Sequence, residues 1–165
     1  MRVVLIGCAG ICAIVFELFW PEPVTKKFIF NRTNSAPIGL YWVLQEPIAK
    51  SNWIVVSAKS EAAKYAYRQG FIGPGWPMIK KVAALYGDEV CRQGMQVFIN
   101  GSLVALAQKQ DKSGRALPEW KGCRILHTQD IFLLNENLSS LDGRYLGVMT
   151  VSDVDGVAVP IWTYR

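Results

Sequence analysis

The chain has 165 residues, of which 51% are hydrophobic and 19% are charged, and its formal net charge is +5. This length and composition support one domain with its own core. The positive charges are scattered and form no basic run or basic amphipathic helix, so they do not indicate a nucleic-acid-binding protein. The sequence also shows no internal repeat, low-complexity tract or linker to a second domain.

The chain begins with an apolar segment. Residues 3–20 are apolar except for Glu17, and Pro21 ends the run. At about 1.5 Å per residue, a helix of this length spans roughly 27 Å, which is just enough for a thin bilayer. No clear small-x-small cleavage site precedes Pro21, which favours a retained anchor over a cleaved signal peptide. We therefore predict a transmembrane anchor or signal segment over residues 1–20 and one folded domain over residues 21–165.

The rest of the chain is dominated by β patterns and turn signals. The firmest local prediction is a hairpin, because Asn100 and Gly101 separate two β-prone runs. One short helix is expected over residues 61–69, with Gly70 as its stop. Residues 111–122 are polar and are expected to form a surface loop. The predicted strands cover residues 26–31, 39–44, 53–57, 96–99, 102–107, 131–134, 145–151 and 157–162, and a further strand carries Lys80 together with its neighbours at residues 78–83.

Two of the four cysteines lie in the folded part. Cys8 and Cys12 fall in the apolar segment and are expected to be small buried hydrophobes, whereas Cys91 and Cys123 lie well beyond it. A Cys91–Cys123 disulfide suits an oxidising compartment. It would close a loop of about 30 residues and contribute about 3–4 kcal/mol in the chain-entropy model. Two unpaired buried thiols are the alternative.

The candidate chemistry centres on a serine and a lysine. Ser35 lies in a Pro/Gly turn within residues 31–41, which read NRTNSAPIGLY. A serine hydroxyl needs a base within hydrogen-bond reach, and the only histidine, His127, is more often structural in such a position. One histidine and two cysteines do not make a zinc site, so we expect no metal and no cofactor. A desolvated lysine is the remaining base, and strand periodicity does not choose between Lys80 and Lys81.

Three segments together resemble a known family. Residues 31–41, residues 80–88 (KKVAALYGD) and residues 139–147 (SSLDGRYLG) are similar, in order and spacing, to the three conserved boxes of the type I signal peptidase family. The Asn-x-Thr-x-Ser-x-Pro-x-Gly-x-Tyr form more closely resembles the TraF-type peptidases of conjugative transfer systems. The resemblance implies a mainly β, signal-peptidase-like barrel or sandwich catalytic domain after an N-terminal apolar helix.

The resemblance also implies roles for individual residues. Ser35 matches the nucleophile and Lys80 matches the general base. Thr33 matches the hydroxyl that joins the Ser35 N–H in the oxyanion hole. In the third box, Ser140 matches a hydroxyl that orients the lysine. Asp142 and Arg144 match a pair that orders the site. Two departures from the family pattern stand out: Tyr86 replaces a proline, and residues 135–137 (NEN) replace the usual Gly-Asp-Asn-Arg.

The function implied by this resemblance is that of a membrane-associated Ser/Lys endopeptidase at the periplasmic face of the bacterial inner membrane. Its expected substrate is a precursor protein, in particular a pilin-like subunit, and the acyl-enzyme is released by water or by the substrate's own amine to make a ring. Other conjugative transfer components are expected partners, and nucleic acid is not. Two alternatives remain open: a general leader peptidase, and a non-enzymatic component of a conjugative transfer channel.

Overall fold

The computed structural model describes residues 28–164. The predicted anchor or signal segment at residues 1–20 lies outside the described residues. Within residues 28–164, no helix combines the length and apolar character needed to cross a membrane. The described part of the chain is mainly β, as the sequence predicts.

Seven strands form the larger of two antiparallel sheets. They are β1 (Phe28–Asn31), β2 (Ile38–Leu44), β3 (Trp53–Val56), β4 (Met78–Ala84), β9 (Asp130–Leu133), β10 (Met149–Thr150) and β11 (Val154–Tyr164). Their spatial order is β1-β2-β11-β3-β4-β9-β10. The last strand of the chain therefore lies between β2 and β3, which fixes the first hairpin to the centre of the sheet.

Four strands form the smaller sheet, in the order β7-β6-β5-β8. They are β5 (Glu89–Gln93), β6 (Gln96–Ile99), β7 (Ser102–Leu106) and β8 (Gly122–Ile125). The predicted Asn-Gly hairpin is confirmed between β6 and β7. Asn100 and Gly101 both have positive φ, at 49° and 77°, as a two-residue turn of this kind requires.

Helix α1 (Glu61–Arg68) confirms the expected short helix. The Ser60 hydroxyl caps it by accepting from the Ala63 N–H at 3.1 Å. The helix ends at Arg68 with Gln69 as its C-cap, and Gly70 follows with a φ of +72°, which suits the left-handed position after a C-cap. Two further pieces of helix were not predicted, a single turn α2 (Gly143–Leu146) and a 3₁₀ turn (Val151–Asp153). The strand predicted for residues 145–151 is therefore wrong, except for β10.

The single turn α2 exists because a side chain caps it and a glycine lets it approach the sheet. Asp142 is its N-cap and accepts from the Arg144 N–H at 3.1 Å. A Cβ on Gly143 would lie 2.6 Å from the Leu133 carbonyl oxygen and equally close to the Phe132 ring. Only glycine allows this contact, which brings the third family-like segment onto β9.

The disulfide predicted between Cys91 and Cys123 is confirmed, and it joins β5 to β8. Next to it, Arg92 is almost fully buried and donates to three carbonyl oxygens. Its Nη1 reaches the Arg144 carbonyl at 2.7 Å and the Pro118 carbonyl at 3.2 Å. This side chain therefore ties the smaller sheet to α2.

One face of β1, β2 and β11 is apolar and exposed. Phe28 pairs with Trp42, and Trp42 pairs with Val159 across the next strand pair. The Phe28 and Trp42 rings lie 5.4 Å apart. We call this surface the aromatic face; its exposed members are Phe28, Phe30, Trp42, Val159 and Trp162.

Candidate active site

A cleft of about 420 Å³ lies between β1, the turn that follows it, β4 and the segment before α2. It contains both sequence-predicted reactive residues, Ser35 and Lys80. Its walls are largely apolar, and they include Phe28, Ile29, Phe30, Phe71, Ile72, Trp76, Met78, Ile79 and Leu141. Such a cleft can bind an apolar or weakly polar chain segment next to a few polar groups.

A buried asparagine organises the turn that carries Ser35. Asn31 Nδ2 donates to the carbonyl oxygens of Thr33, Ala36 and Pro37 at 2.9–3.0 Å. Its Oδ1 accepts from the Thr33 N–H at 3.2 Å. This one side chain replaces the ladder hydrogen bonds that the chain loses on leaving β1, so the turn has a defined conformation.

The hydroxyls of Thr33 and Ser35 lie in contact, with an Oγ1–Oγ distance of 3.0 Å. Thr33 Oγ1 donates to Asn31 Oδ1 at 3.1 Å, and this oxygen can only accept. The Ser35 hydroxyl must therefore be the donor toward Thr33. The structure thus brings the Thr33 and Ser35 hydroxyls together, as the family resemblance implied.

Lys80 is the buried member of the lysine pair on β4, with 4% of its surface exposed. Burial lowers the pKa of its ammonium from the usual 10.5 to about 8. The negative charge of Asp142 opposes this change by raising the Lys80 pKa, and the positive charge of Arg144 lowers it further. Lys80 Nζ donates to Ser140 Oγ at 2.9 Å.

Lys81 points the other way and forms ordinary surface contacts. Its Nζ pairs with Glu136 at 3.0 Å, and its side chain is 31% exposed. It also lies 5.7 Å from the centre of the Trp53 ring. The register of β4 therefore separates two lysines that strand periodicity left equivalent.

Asp142 and Arg144 form a buried ion pair, with 0% and 1% of their side chains exposed. Arg144 binds the carboxylate through two nitrogens, Nε at 2.9 Å and Nη2 at 2.8 Å. Nη2 also donates to the carbonyl oxygens of Asn135 and Asn137. The pair thus holds the segment between β9 and α2 in one conformation.

Two asparagines in that segment contact the serine turn, and the sequence analysis did not select them. Asn135 Nδ2 donates to the Ser35 carbonyl at 2.7 Å, and Asn137 Nδ2 donates to the Asn34 carbonyl at 2.7 Å. Residues 135–137 were noted only as a departure from the family pattern. That departure was the available signal, since two of the three replacing side chains are amides, which donate and accept at once.

Not every sequence-predicted group meets its expected partner. Ser35 and Lys80 line the same cleft, but within the described residues no hydrogen bond joins Ser35 Oγ to Lys80 Nζ. His127 is exposed between β8 and β9 and does not line the cleft. Cys91 and Cys123 lie in the smaller sheet, away from the cleft lining.

A mainly β fold with a serine hydroxyl in an apolar cleft suits a serine peptidase. The chain belongs to the family described as signal peptidase, peptidase S26, whose family model matches residues 2–163. This membership confirms the resemblance found in the three sequence segments.

Several curated relatives are similar over most of the chain. A plasmid transfer protein TraF from Escherichia coli is 34% identical, and the aligned region covers 81% of this chain and 82% of the TraF chain. A conjugal transfer protein TraF from Agrobacterium fabrum is 31% identical, covering 81% of both chains. Among solved structures, a signal peptidase I from Enterococcus faecalis matches 69% of this chain and 98% of its own, with 17% identity and a TM-score of 0.38.

Proposed function

We propose that this protein is a membrane-associated serine endopeptidase in which Ser35 is the nucleophile and Lys80 the general base. The observation that carries the proposal is the Lys80 ammonium, buried beside Ser140 with a pKa of about 8 in the same cleft as Ser35. At pH 7 about a tenth of such a lysine is neutral, about 300-fold more than at its usual pKa. That fraction is enough for a base that acts once per turnover.

The proposed reaction has two halves. Neutral Lys80 Nζ takes the Ser35 hydroxyl proton as Oγ attacks a peptide carbonyl carbon, and the carbonyl oxygen becomes the oxyanion. Lys80 then gives its proton to the departing amine as the C–N bond breaks, which leaves an acyl-enzyme on Ser35. Water, or an amine of the substrate itself, attacks this ester and releases a linear or a cyclic product. The contact between Ser35 Oγ and Lys80 Nζ is proposed to form when substrate fills the cleft.

The oxyanion is proposed to accept hydrogen bonds from the Ser35 N–H and the Thr33 hydroxyl. For this role the Thr33 hydroxyl must turn its proton from Asn31 Oδ1 toward the oxyanion. Ser140 is proposed to hold Lys80 Nζ in place. Asp142 and Arg144 are proposed to keep Ser140 on its segment by fixing the backbone on both sides of it.

The proposed substrate is a pilin-like precursor protein, delivered from the membrane. The relatives are named plasmid and conjugal transfer proteins, which supports a role in conjugation. The aromatic face continues into the cleft, because Phe28 and Phe30 belong to both. A precursor leaving the bilayer at this face would reach Ser35 directly. The disulfide supports a periplasmic location, since such bonds persist in oxidising compartments.

The test is the intact mass of a pilin precursor co-expressed with the full chain. We expect loss of a terminal peptide with the wild type and with Ser102→Ala, a matched change on the distant β7, and none with Ser35→Ala. A product lighter by one further water would show cyclisation. An unchanged precursor with the wild type would contradict the proposal and favour a non-enzymatic component of the transfer channel. Equal cleavage of many unrelated precursors would favour a general leader peptidase.

Membrane contact has a separate test. The full chain carrying Trp42→Ser and Trp162→Ser should bind phospholipid vesicles more weakly than the wild type in a flotation assay, because both changes remove exposed aromatic area from the aromatic face. Tyr86→Ser is the control, since Tyr86 is 71% exposed but lies outside that face. Equal binding by all three chains would show that the aromatic face adds nothing measurable to membrane binding beyond the predicted anchor.

A further inference from the structure

We infer that Asn137 is a positioning residue that aims the Ser35 N–H at the oxyanion, and that Asn135 holds the serine turn against β4. The inference rests on the proposed function, because it assigns a role within that reaction. It concerns the segment in which this chain departs from its family pattern. The two side chains attach the segment before α2 to two successive carbonyls of the serine turn.

The orientation of the Asn137 amide is fixed by its neighbours. Its Oδ1 accepts from the Ser139 N–H at 2.8 Å, and its Nδ2 donates to the Asn34 carbonyl at 2.7 Å. A backbone N–H can only donate and a backbone carbonyl can only accept, so a flipped amide would lose both hydrogen bonds. The Asn137 carbonyl also accepts from Arg144 Nη2 at 2.9 Å. The Asn137 side chain therefore projects from a backbone that Arg144 holds in place.

The Asn34 carbonyl belongs to the same peptide group as the Ser35 N–H. A peptide group is planar and trans, so its C=O and N–H point in opposite directions along one plane. Fixing the carbonyl of Asn34 therefore fixes the direction of the Ser35 N–H. A hydrogen bond accepted by the carbonyl also polarises the N–H at the other end of the group. Asn137 lines the same cleft, and it acts on the proposed oxyanion donor through the peptide group that joins Asn34 to Ser35.

Asn135 attaches the same turn to the strand that carries the proposed base. Its Oδ1 accepts from the Lys81 N–H at 2.9 Å, and its Nδ2 donates to the Ile79 carbonyl at 3.3 Å. These two groups flank Lys80 on β4. The same Nδ2 donates to the Ser35 carbonyl at 2.7 Å. With 2% of its surface exposed, Asn135 sets the distance between the backbones of Ser35 and Lys80.

The deciding variant is Asn137→Asp in the full chain. The new side chain has almost the same shape and still accepts from the Ser139 N–H, but it has no donor for the Asn34 carbonyl. Asn137→Leu is the uncharged companion, which separates loss of the donor from the added charge. Leu138→Ala is the matched control, because Leu138 is the next residue and is 62% exposed.

With a precursor peptide as substrate, both Asn137 variants should lower kcat by about 10- to 100-fold, as expected for a misaligned donor. KM should change little, because an oxyanion forms only in the transition state. In a ¹H–¹⁵N spectrum the Ser35 amide should shift strongly in both variants. Leu138→Ala should keep the wild-type kcat and the wild-type Ser35 amide position.

Three results would overturn the inference. The first is a wild-type kcat in both Asn137 variants. The second is a fall in kcat that matches the unfolded fraction measured by thermal melting, because Asn137 would then act on stability alone. The third is cleavage by the Ser35→Ala chain at the same rate as by the wild type. This last result removes the proposed function as well, whereas the first two leave it intact.

Discussion

Lys80 Nζ donates to Ser140 Oγ at 2.9 Å, although the two residues are 60 positions apart in the chain. Both are buried, with 4% and 0% of their surfaces exposed. A hydroxyl gives the amine a partner without a full negative charge at contact distance. The nearby carboxylate of Asp142 is bound by Arg144 through two nitrogens. Burial therefore dominates, and the pKa of Lys80 falls to about 8.

The first prediction concerns the pH dependence of cleavage. If Lys80 is the base, kcat/KM should rise with pH and level off above an apparent pKa of about 8, since only the neutral amine accepts the serine proton. Lys80→Ala should abolish cleavage, whereas Lys81→Ala should only weaken it, because Lys81 forms surface contacts. Initial rates between pH 6 and 9.5 measure this. Similar small losses in both variants would remove Lys80 from the mechanism.

The second prediction concerns the stability cost of burying Lys80. Its pKa is lower in the folded chain than in the unfolded chain, so between about pH 8 and 10.5 the unfolded state binds more protons and stability rises with pH. Below pH 8 the lysine is charged in both the folded and the unfolded chain, and the full free-energy cost of burying its charge applies. Lys80→Met should therefore raise the free energy of unfolding at pH 7 by on the order of 2 kcal/mol, after allowing for the lost hydrogen bond to Ser140.

Urea unfolding at pH 7 and pH 9.5 tests whether the stability of the wild type rises with pH. The advantage of Lys80→Met over the wild type should shrink at the higher pH, where the wild-type lysine is neutral in the folded chain. Lys81→Met is the matched control, since the Lys81 side chain is partly exposed and pairs with Glu136. A wild type more stable than Lys80→Met at both pH values would contradict the argument.

The sequence was sufficient for the local features of this fold. The Asn-Gly hairpin, helix α1 and most strands of the larger sheet follow from turn chemistry and periodicity, because each depends on residues close in the chain. Strands β5 and β8 were not predicted. Strand β8 has no buried residue, so it shows no alternation, and its position depends on pairing with β5 across 32 residues.

The site was predictable where it depends on residue type, and not where it depends on register. Ser35 was selected from its Pro/Gly turn, whereas Thr33 was assigned only by the family resemblance. Strand periodicity left Lys80 and Lys81 equivalent, and only the resemblance selected Lys80. The physical difference between the two lysines, which is the pairing of Lys80 with Ile54 on β3 and the burial of that side of β4, exists only in three dimensions. Asn135 was missed for the same reason. Its partners at Ser35 and Ile79 are 100 and 56 positions away.

The third prediction concerns Thr33. Thr33→Val keeps the side-chain shape and removes the hydroxyl, so it should lower kcat by about 10²–10³-fold if that hydroxyl stabilises the oxyanion. Thr33→Ser should retain most of the activity, because it keeps a hydroxyl at the same position. Steady-state kinetics of both variants with one precursor peptide provide the measurement. A Thr33→Val chain with unchanged kcat would leave the threonine a purely structural role in the hydrogen bond to Asn31.

The fourth prediction concerns the buried ion pair. Asp142→Asn leaves the Arg144 guanidinium uncompensated at 1% exposure, which should reduce the free energy of unfolding by about 3–5 kcal/mol. It also removes the charge that raises the Lys80 pKa. Adding Arg144→Met to Asp142→Asn should recover part of the lost stability, because no unpaired charge remains. Thermal melting of the single and double variants decides this, and equal melting temperatures for Asp142→Asn and the wild type would contradict it.

The fifth prediction separates the disulfide from the chemistry. Replacing Cys91 and Cys123 with alanine should lower the free energy of unfolding by about 3–4 kcal/mol, the chain-entropy value for their separation of 32 residues. Cleavage at low temperature should survive, because neither cysteine lines the cleft. Arg92 still ties the smaller sheet to α2 through the Arg144 carbonyl. Loss of activity in a double variant shown by circular dichroism to be folded would instead mean that the disulfide acts on the site through Arg92.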